Sequence, residues 1–259
     1  SALPAYTPGR PAGSDGERAA YKISSNENPY PPLPSVLTAI DRAAQEINRY
    51  PDMAVTALIE RIATALDVPA ARIACGPGSV GVLGQIIQAA CDEGDEVLFA
   101  WRSFEAYPII TRLAGAIPVH VPLTPDARHD LPAMAAACTE RTRVVVVCTP
   151  NNPTGTTITA AELENFLDAV PEDVLVVIDE AYTEFVTADD APDALAVHRN
   201  RPNVAVLRTF SKAYGLAGLR IGAITGHPDA LEPIRVAVPV YSVNIAAVVA
   251  VQAALSDLP

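Results

Sequence analysis

The chain has 259 residues, half of them hydrophobic and 19% charged. That balance excludes a disordered protein and leaves room for one large core, or for one full domain with part of a second. The net charge of −12 argues against attraction to nucleic acid or an anionic membrane, and the four cysteines and four histidines show no close metal-ligand spacing, so no metal is expected.

Residues 1–34 read as an arm without regular structure, polar and proline-rich at its start and closing on NENPYPPLP. It lacks the apolar core of a secretory signal, and the cysteines lie within apolar segments, so a cytoplasmic location is expected. Helical patterns follow at 35–47 and 54–66, joined by NRYPD. From residue 72 onward, short β-rich runs (RIACG, DEVLFA, IPVHVPL, TRVVVVCT, VLVVIDEA, VAVLRTFS and RIGAITG) alternate with helical stretches. One such stretch covers 79–91; another covers 159–170 and opens with Thr159 and Glu162 at capping-box spacing. Runs that are apolar throughout, such as VVVVC, suit a sheet covered on both faces. The alternation predicts an α/β fold, a mostly parallel seven-stranded sheet sandwiched by helices, over a large domain at 35–241. The apolar stretch NIAAVVAVQAAL within 242–259 is too short to span a bilayer.

Ligands of open α/β sheets sit beyond the carboxyl ends of the strands. Four polar or glycine-rich segments fall there: GPGS after RIACG, TPNNPTG after RVVVVC, DEAY closing VLVVID, and SKAYG after VAVLRTF. Gly76, Gly78 and Gly81 also match G-x-G-x-x-G, the dinucleotide pattern. Its ribose partner should stand at the carboxyl end of the next strand, yet Asp95 and Glu96 precede that strand. What survives is an anion site made by glycines that lead into a helix N-terminus.

The lysine content is the other signal. Sixteen arginines accompany only two lysines, Lys22 and Lys212. Arginine stays protonated in proteins, whereas a buried lysine can lose its proton and become a nucleophile. Around Lys212, the hydroxyls of Thr209 and Ser211 and the fork of Arg220 offer phosphate ligands. A phosphorylated ligand beside a reactive amine describes pyridoxal 5′-phosphate.

With PNNPTG (150–155), IDEAY (178–182) and TFSKAYGLAGLRIG (209–222), supported by NENP (26–29) and NRYPD (48–52), the chain resembles the fold-type I pyridoxal-phosphate-dependent aminotransferases. The resemblance is to the histidinol-phosphate aminotransferase family and its aromatic amino acid aminotransferase relatives. It implies that Lys212 carries the cofactor as a Schiff base and moves the substrate Cα proton. By the same resemblance Asp179 would pair with the pyridine nitrogen, Asn152 and Tyr182 with the ring oxygen, and Phe104 would stack on the ring. Gly78, Ser79, Val80, Thr209, Ser211 and Arg220 would hold the phosphate; Val80 stands where the family usually has an acidic residue, which leaves only its backbone a role. Tyr50 would reach a partner subunit's phosphate, which implies a homodimer, while Tyr6 and Asn26 would lie near the substrate. The implied reaction moves the amino group of an aromatic amino acid to 2-oxoglutarate. Alternatives are histidinol-phosphate transamination in histidine biosynthesis, decarboxylation of a phosphorylated amino acid, and a binding domain that has kept the fold without catalysis. The resemblance also implies that 242–259 leads toward a small C-terminal domain lying largely outside these residues.

Overall fold

The run Thr142–Cys148 places Val144 and Val146 in one apolar cluster and Val145 and Val147 in another. Successive side chains of a strand point to opposite faces, so a run of valines demands cover on both sides. The computed structural model describes residues 24–257, and it supplies that cover.

Among the described residues the strands are β1 (Ile73–Gly76), β2 (Glu96–Trp101), β3 (Ile117–Pro122), β4 (Thr142–Cys148), β5 (Leu175–Asp179), β6 (Val204–Thr209) and β7 (Gly222–Thr225). They form one seven-stranded sheet in the order β1-β7-β6-β5-β4-β2-β3. The pairings from β3 through β6 are parallel, and β7 runs antiparallel to both its neighbours. This is the mostly parallel sheet that the sequence predicts. Register sets Cys148 beside Asp179 and Asp179 beside Leu207, so β4, β5 and β6 finish nearly level.

The helices are α1 (Pro34–Ala43), α2 (Thr56–Leu66), α3 (Gly78–Ala90), α4 (Ala106–Leu113), α5 (Leu131–Ala136), α6 (Ala160–Ala169), α7 (Ala194–His198), α8 (Pro228–Ala237) and α9 (Ile245–Ser256). On one face of the sheet α3, α4 and α8 bury Ile86, Tyr107 and Leu231 against Val97, Val146 and Val177. On the other, α5, α6 and α7 bury Met134, Leu163 and Ala194 against Val145 and Ile178. Beside β1 and β7, α1, α2 and α9 enclose a third cluster through Val36, Leu58 and Val251. Each fully buried aliphatic side chain contributes roughly 1.5–3 kcal/mol, so these clusters dominate the fold's stability.

Helix boundaries depart from the sequence expectation for local reasons. The pattern at 35–47 ends as α-helix at Ala43 and tightens into a 3₁₀ turn over Ala44–Glu46. The pattern at 54–66 begins at Thr56, because the Asp52 carboxylate accepts from the N–H groups of Ala54 and Thr56 and holds the turn before it. The capping box at Thr159 and Glu162 is present in full. No helix or strand occurs over residues 24–33, and no helix among the described residues is long and apolar enough to cross a membrane.

Candidate functional site

Strand parity decides what faces the site. Val177, Leu207 and Cys148 belong to the cluster under α3 and α4, so Asp179 and Thr209, two residues beyond Val177 and Leu207, point to the same side. Glu180 and Arg208, one step out of phase, form an ion pair at 2.7 Å. Beyond the strand ends lies a cavity of about 620 Å³. Its wall brings together Asn26, Ser79, Val80, Phe104, Asn152, Asp179, Tyr182, Thr209, Ser211, Lys212 and Arg220. Gly78 stands behind the wall against the Arg220 guanidinium. Tyr50 lies outside the cavity lining, and Tyr6 lies outside the described residues.

Asp179 closes one side of the cavity floor and is 5% exposed. Burial pushes its carboxyl above the usual range; a Tyr107 hydrogen bond, the Ala181 N–H and the Lys212 charge oppose that rise. Tyr107 Oη donates to Oδ2 at 2.6 Å, and the Ala181 N–H donates to Oδ1 at 3.1 Å. Cys148, on the neighbouring strand, has its thiol pushed up to about 12 by burial and by the nearby Asp179 charge. It is therefore a neutral wall, not a nucleophile.

Lys212 follows β6 and is half-buried. Burial first, and then the like charge of Arg220, hold its amine below the ordinary lysine value, while Glu27 and Asp179 pull the other way. Its Nζ donates to the carbonyl oxygens of Ser25 at 3.3 Å and Asn26 at 3.2 Å, and stands 5.6 Å from the centre of the Tyr182 ring. Asn28 Nδ2 donates to the Lys212 and Ala213 carbonyls, so residues 25–28 clasp the lysine loop from above.

The anion end is built around two glycines. Gly78 opens α3 with φ +82°, and a Cβ there would meet Arg220 Nη2 at 2.5 Å. At Gly222 a Cβ would run into the backbone of Gly78 and Ser79. The space that neither side chain fills lets β7 lie against the α3 N-terminus and brings Arg220 beside it. Arg220, itself in the left-handed region at φ +56°, donates from Nη1 to Ser211 Oγ at 3.4 Å and to the Ala217 carbonyl at 2.9 Å. Helix N–H groups, a guanidinium and hydroxyls converge here, the donor set that a phosphate requires.

Tyr182 gathers the remaining wall: its hydroxyl accepts from Asn152 Nδ2 at 3.3 Å and from Asn26 Nδ2 at 3.0 Å. An anion cup, a buried carboxylate and an amine within electrostatic reach of both fit the phosphate, ring nitrogen and aldehyde of pyridoxal 5′-phosphate. Sequence reading leaves Tyr107 out, although it lies three residues after Phe104 in AWRSFEAYP and meets that ring edge-on at 5.5 Å. It also leaves out Asn151, whose amide binds Ser103 Oγ at 2.7 Å, the Arg102 carbonyl at 3.1 Å and Thr154 Oγ1 at 2.9 Å, pinning the loop that presents Asn152.

Comparison with known proteins places these residues in context. The family model described as aminotransferase class I and II matches residues 20–259. An aromatic amino acid aminotransferase of Streptomyces coelicolor is 60% identical over 238 residues, 92% of this chain and 66% of the relative. One from Thermobifida fusca is 54% identical over 255 residues, 98% of this chain and 70% of the relative. Among solved structures, a histidinol-phosphate aminotransferase from Sinorhizobium meliloti in complex with pyridoxal 5′-phosphate superposes with a TM-score of 0.85 at 35% identity, covering 90% of this chain and 63% of that one. The chain thus spans just under two thirds of the Streptomyces relative's length.

Proposed function

The chain belongs to the aminotransferase class I and II family, and we propose that it serves a pyridoxal 5′-phosphate-dependent aminotransferase of aromatic amino acids, with 2-oxoglutarate as amino acceptor. The observation that carries this reading is the meeting of Lys212, Asp179 and Arg220 at one cavity. The aromatic preference draws on the relatives at 60% and 54% identity.

When bound, the cofactor supplies an electron sink through its protonated pyridine ring. Asp179 is the residue to hold that nitrogen's proton, since its carboxylate is buried at the cavity floor. The α3 N-terminus, Ser211, Thr209 and Arg220 would hold the phosphate, and the bonded pair Asn152 and Tyr182 would bind the ring oxygen. Phe104, in the cavity wall, would cover one side of the ring and exclude water there. Lys212 would anchor the cofactor through Nζ, and burial and Arg220, which lower its proton affinity, favour its amine as the general base toward the substrate Cα proton. Asn26 and Tyr6, on the N-terminal arm, serve the substrate side; for Asn26, its bond to Tyr182 supports that placement.

A homodimer completes the reading. Tyr50 is 81% exposed, stacks on Tyr241 at 4.5 Å, and is accompanied by exposed Ile47 and Met53. An apolar patch of this kind suits an interface, and a tyrosine on it is placed to serve a partner's phosphate. The expected compartment is the cytoplasm.

Histidinol phosphate is the second substrate reading, favoured by the 0.85 TM-score of the Sinorhizobium enzyme. The deciding experiment offers phenylalanine, tyrosine, histidinol phosphate and a phosphorylated amino acid in turn, following 2-oxoglutarate consumption and CO₂ release. Faster turnover of the aromatic amino acids supports the proposal; preference for histidinol phosphate, or CO₂ release from a phosphorylated amino acid, overturns it.

A further inference from the structure

The Asp179–Tyr107 contact extends the cofactor reading to a residue that reading does not use. Tyr107 is 1% exposed, on α4, and its hydroxyl donates to Asp179 Oδ2 at 2.6 Å. The same ring meets Phe104 edge-on at 5.5 Å and Phe99 at 5.6 Å. One side chain therefore touches both the carboxylate that would face the cofactor nitrogen and the aromatic ring that would cover the cofactor. A tyrosine so buried must place its hydroxyl on an acceptor, and Asp179 is that acceptor.

From this geometry we infer that Tyr107 is a positioning residue: it holds Asp179 as an oriented carboxylate and sets Phe104 against the cofactor plane. The inference rests on the cofactor reading above. The physical reason is a conflict within Asp179. Burial drives its carboxyl toward the neutral form, and of the influences resisting this, the Tyr107 bond is the largest, followed by the Ala181 N–H and the Lys212 charge. A neutral Asp179 could not hold a protonated pyridine nitrogen by charge. The titratable groups facing the carboxylate are Tyr107 from α4, Cys148 from β4 and Lys212 from the loop after β6, with Arg220 and Glu27 acting on Lys212 in turn. Tyr107 stays a neutral donor, because burial and then the Asp179 charge raise its own pKa well above the ordinary value. It resists acid protonation of Asp179 without adding a charge of its own.

Tyr107→Phe separates the two parts of this role, keeping the ring against Phe99 and Phe104 while removing the hydroxyl. The first readout is infrared absorbance of the protonated carboxyl in the cofactor-free full chain, titrated with pH and assigned by its loss in Asp179→Asn. The Asp179 midpoint should move upward in Tyr107→Phe, and an unchanged midpoint overturns the inference. The second is kinetic: kcat should fall about tenfold, the worth of one hydrogen bond to a charged group, with KM moving less than about twofold. In an Asp179→Asn background the same substitution should cost nothing further; an equal cost there would make Tyr107 a packing residue only. A wild-type chain that binds no pyridoxal 5′-phosphate overturns the cofactor reading and the kinetic consequence with it, whereas a shifted infrared midpoint would still support the hold of Tyr107 on Asp179.

Discussion

Asn152 Nδ2 donates to the Tyr182 hydroxyl at 3.3 Å, which joins the loop after β4 to the turn after β5 at the cavity wall. The two residues lie thirty apart in sequence, and the parallel pairing of β4 with β5 brings their loops to one rim. The hydroxyl accepts from both Asn152 and Asn26, so it ties the N-terminal segment to both loops.

Tyr182→Phe removes that hydroxyl while keeping the ring beside Lys212. Turnover should drop roughly tenfold, as expected for one hydrogen bond that strengthens with developing charge. The pH profile of the bound cofactor's visible absorbance should shift with it. Unaltered kinetics and spectrum would make the pair a structural clasp.

Two glycines in neighbouring elements give opposite expectations. Gly222→Ala drives a methyl into the Gly78–Ser79 backbone, so it should destabilise the fold by about 1–3 kcal/mol, as overpacking does, and weaken cofactor binding. Gly84, on α3, has nothing within 4 Å of an added Cβ, so Gly84→Ala should stabilise by roughly 0.5–1 kcal/mol through helix propensity. Urea denaturation of both variants reads the contrast, and equal effects would contradict the cup described at Gly222.

Much of this site is legible in the sequence, for reasons that are local. Asp179 and Lys212 follow apolar runs whose parallel pairing makes their carboxyl ends converge, and the glycines before α3 announce a helix N-terminus. The Thr159–Glu162 capping box is likewise a local signal and forms as expected. Tyr107 is different: its meaning depends on how α4 packs over the end of β5, which no spacing within AWRSFEAYP reveals. Asn28 is similar, since its contact to the Lys212 carbonyl spans 184 residues, and Asn26, named through the resemblance, gains its bond to Tyr182 only across 156. The end of α1 at Ala43 shows the limit in another way, because the apolar periodicity continues where the backbone tightens.

Lys212 should also report its surroundings through pH. Burial and Arg220 lower its proton affinity in the folded chain, so labelling of Nζ by an amine-reactive reagent should reach half-maximum below the ordinary lysine range. Arg220→Met removes a like charge and should raise that midpoint; Asp179→Asn removes an opposite charge and should lower it. Because the folded pKa lies below the unfolded value, folding releases a proton between the two. Stability from this group therefore rises as pH climbs through that window, and the cost of the buried ammonium is borne in full below it. Movement of both variants in one direction would contradict the charge arrangement.

The dimer reading predicts complementation. Chains bearing Tyr50→Ala and chains bearing Lys212→Ala should each be impaired alone. Mixed and allowed to exchange, they should recover up to about a quarter of wild-type activity, since half the dimers are mixed and each has one intact site. No recovery, with exchange verified by sedimentation of tagged chains, would confine Tyr50 to its own subunit.

The central claim is that Lys212 is the amine that takes the cofactor, and one measurement addresses it directly. The full chain is incubated with pyridoxal 5′-phosphate, reduced with borohydride, digested and mapped by mass spectrometry. The account predicts one modified peptide carrying the reduced cofactor on Lys212, and none from Lys212→Arg, whose guanidinium cannot replace the amine. Reduced cofactor found on Lys22, or on Lys212 and Lys22 alike, would contradict it.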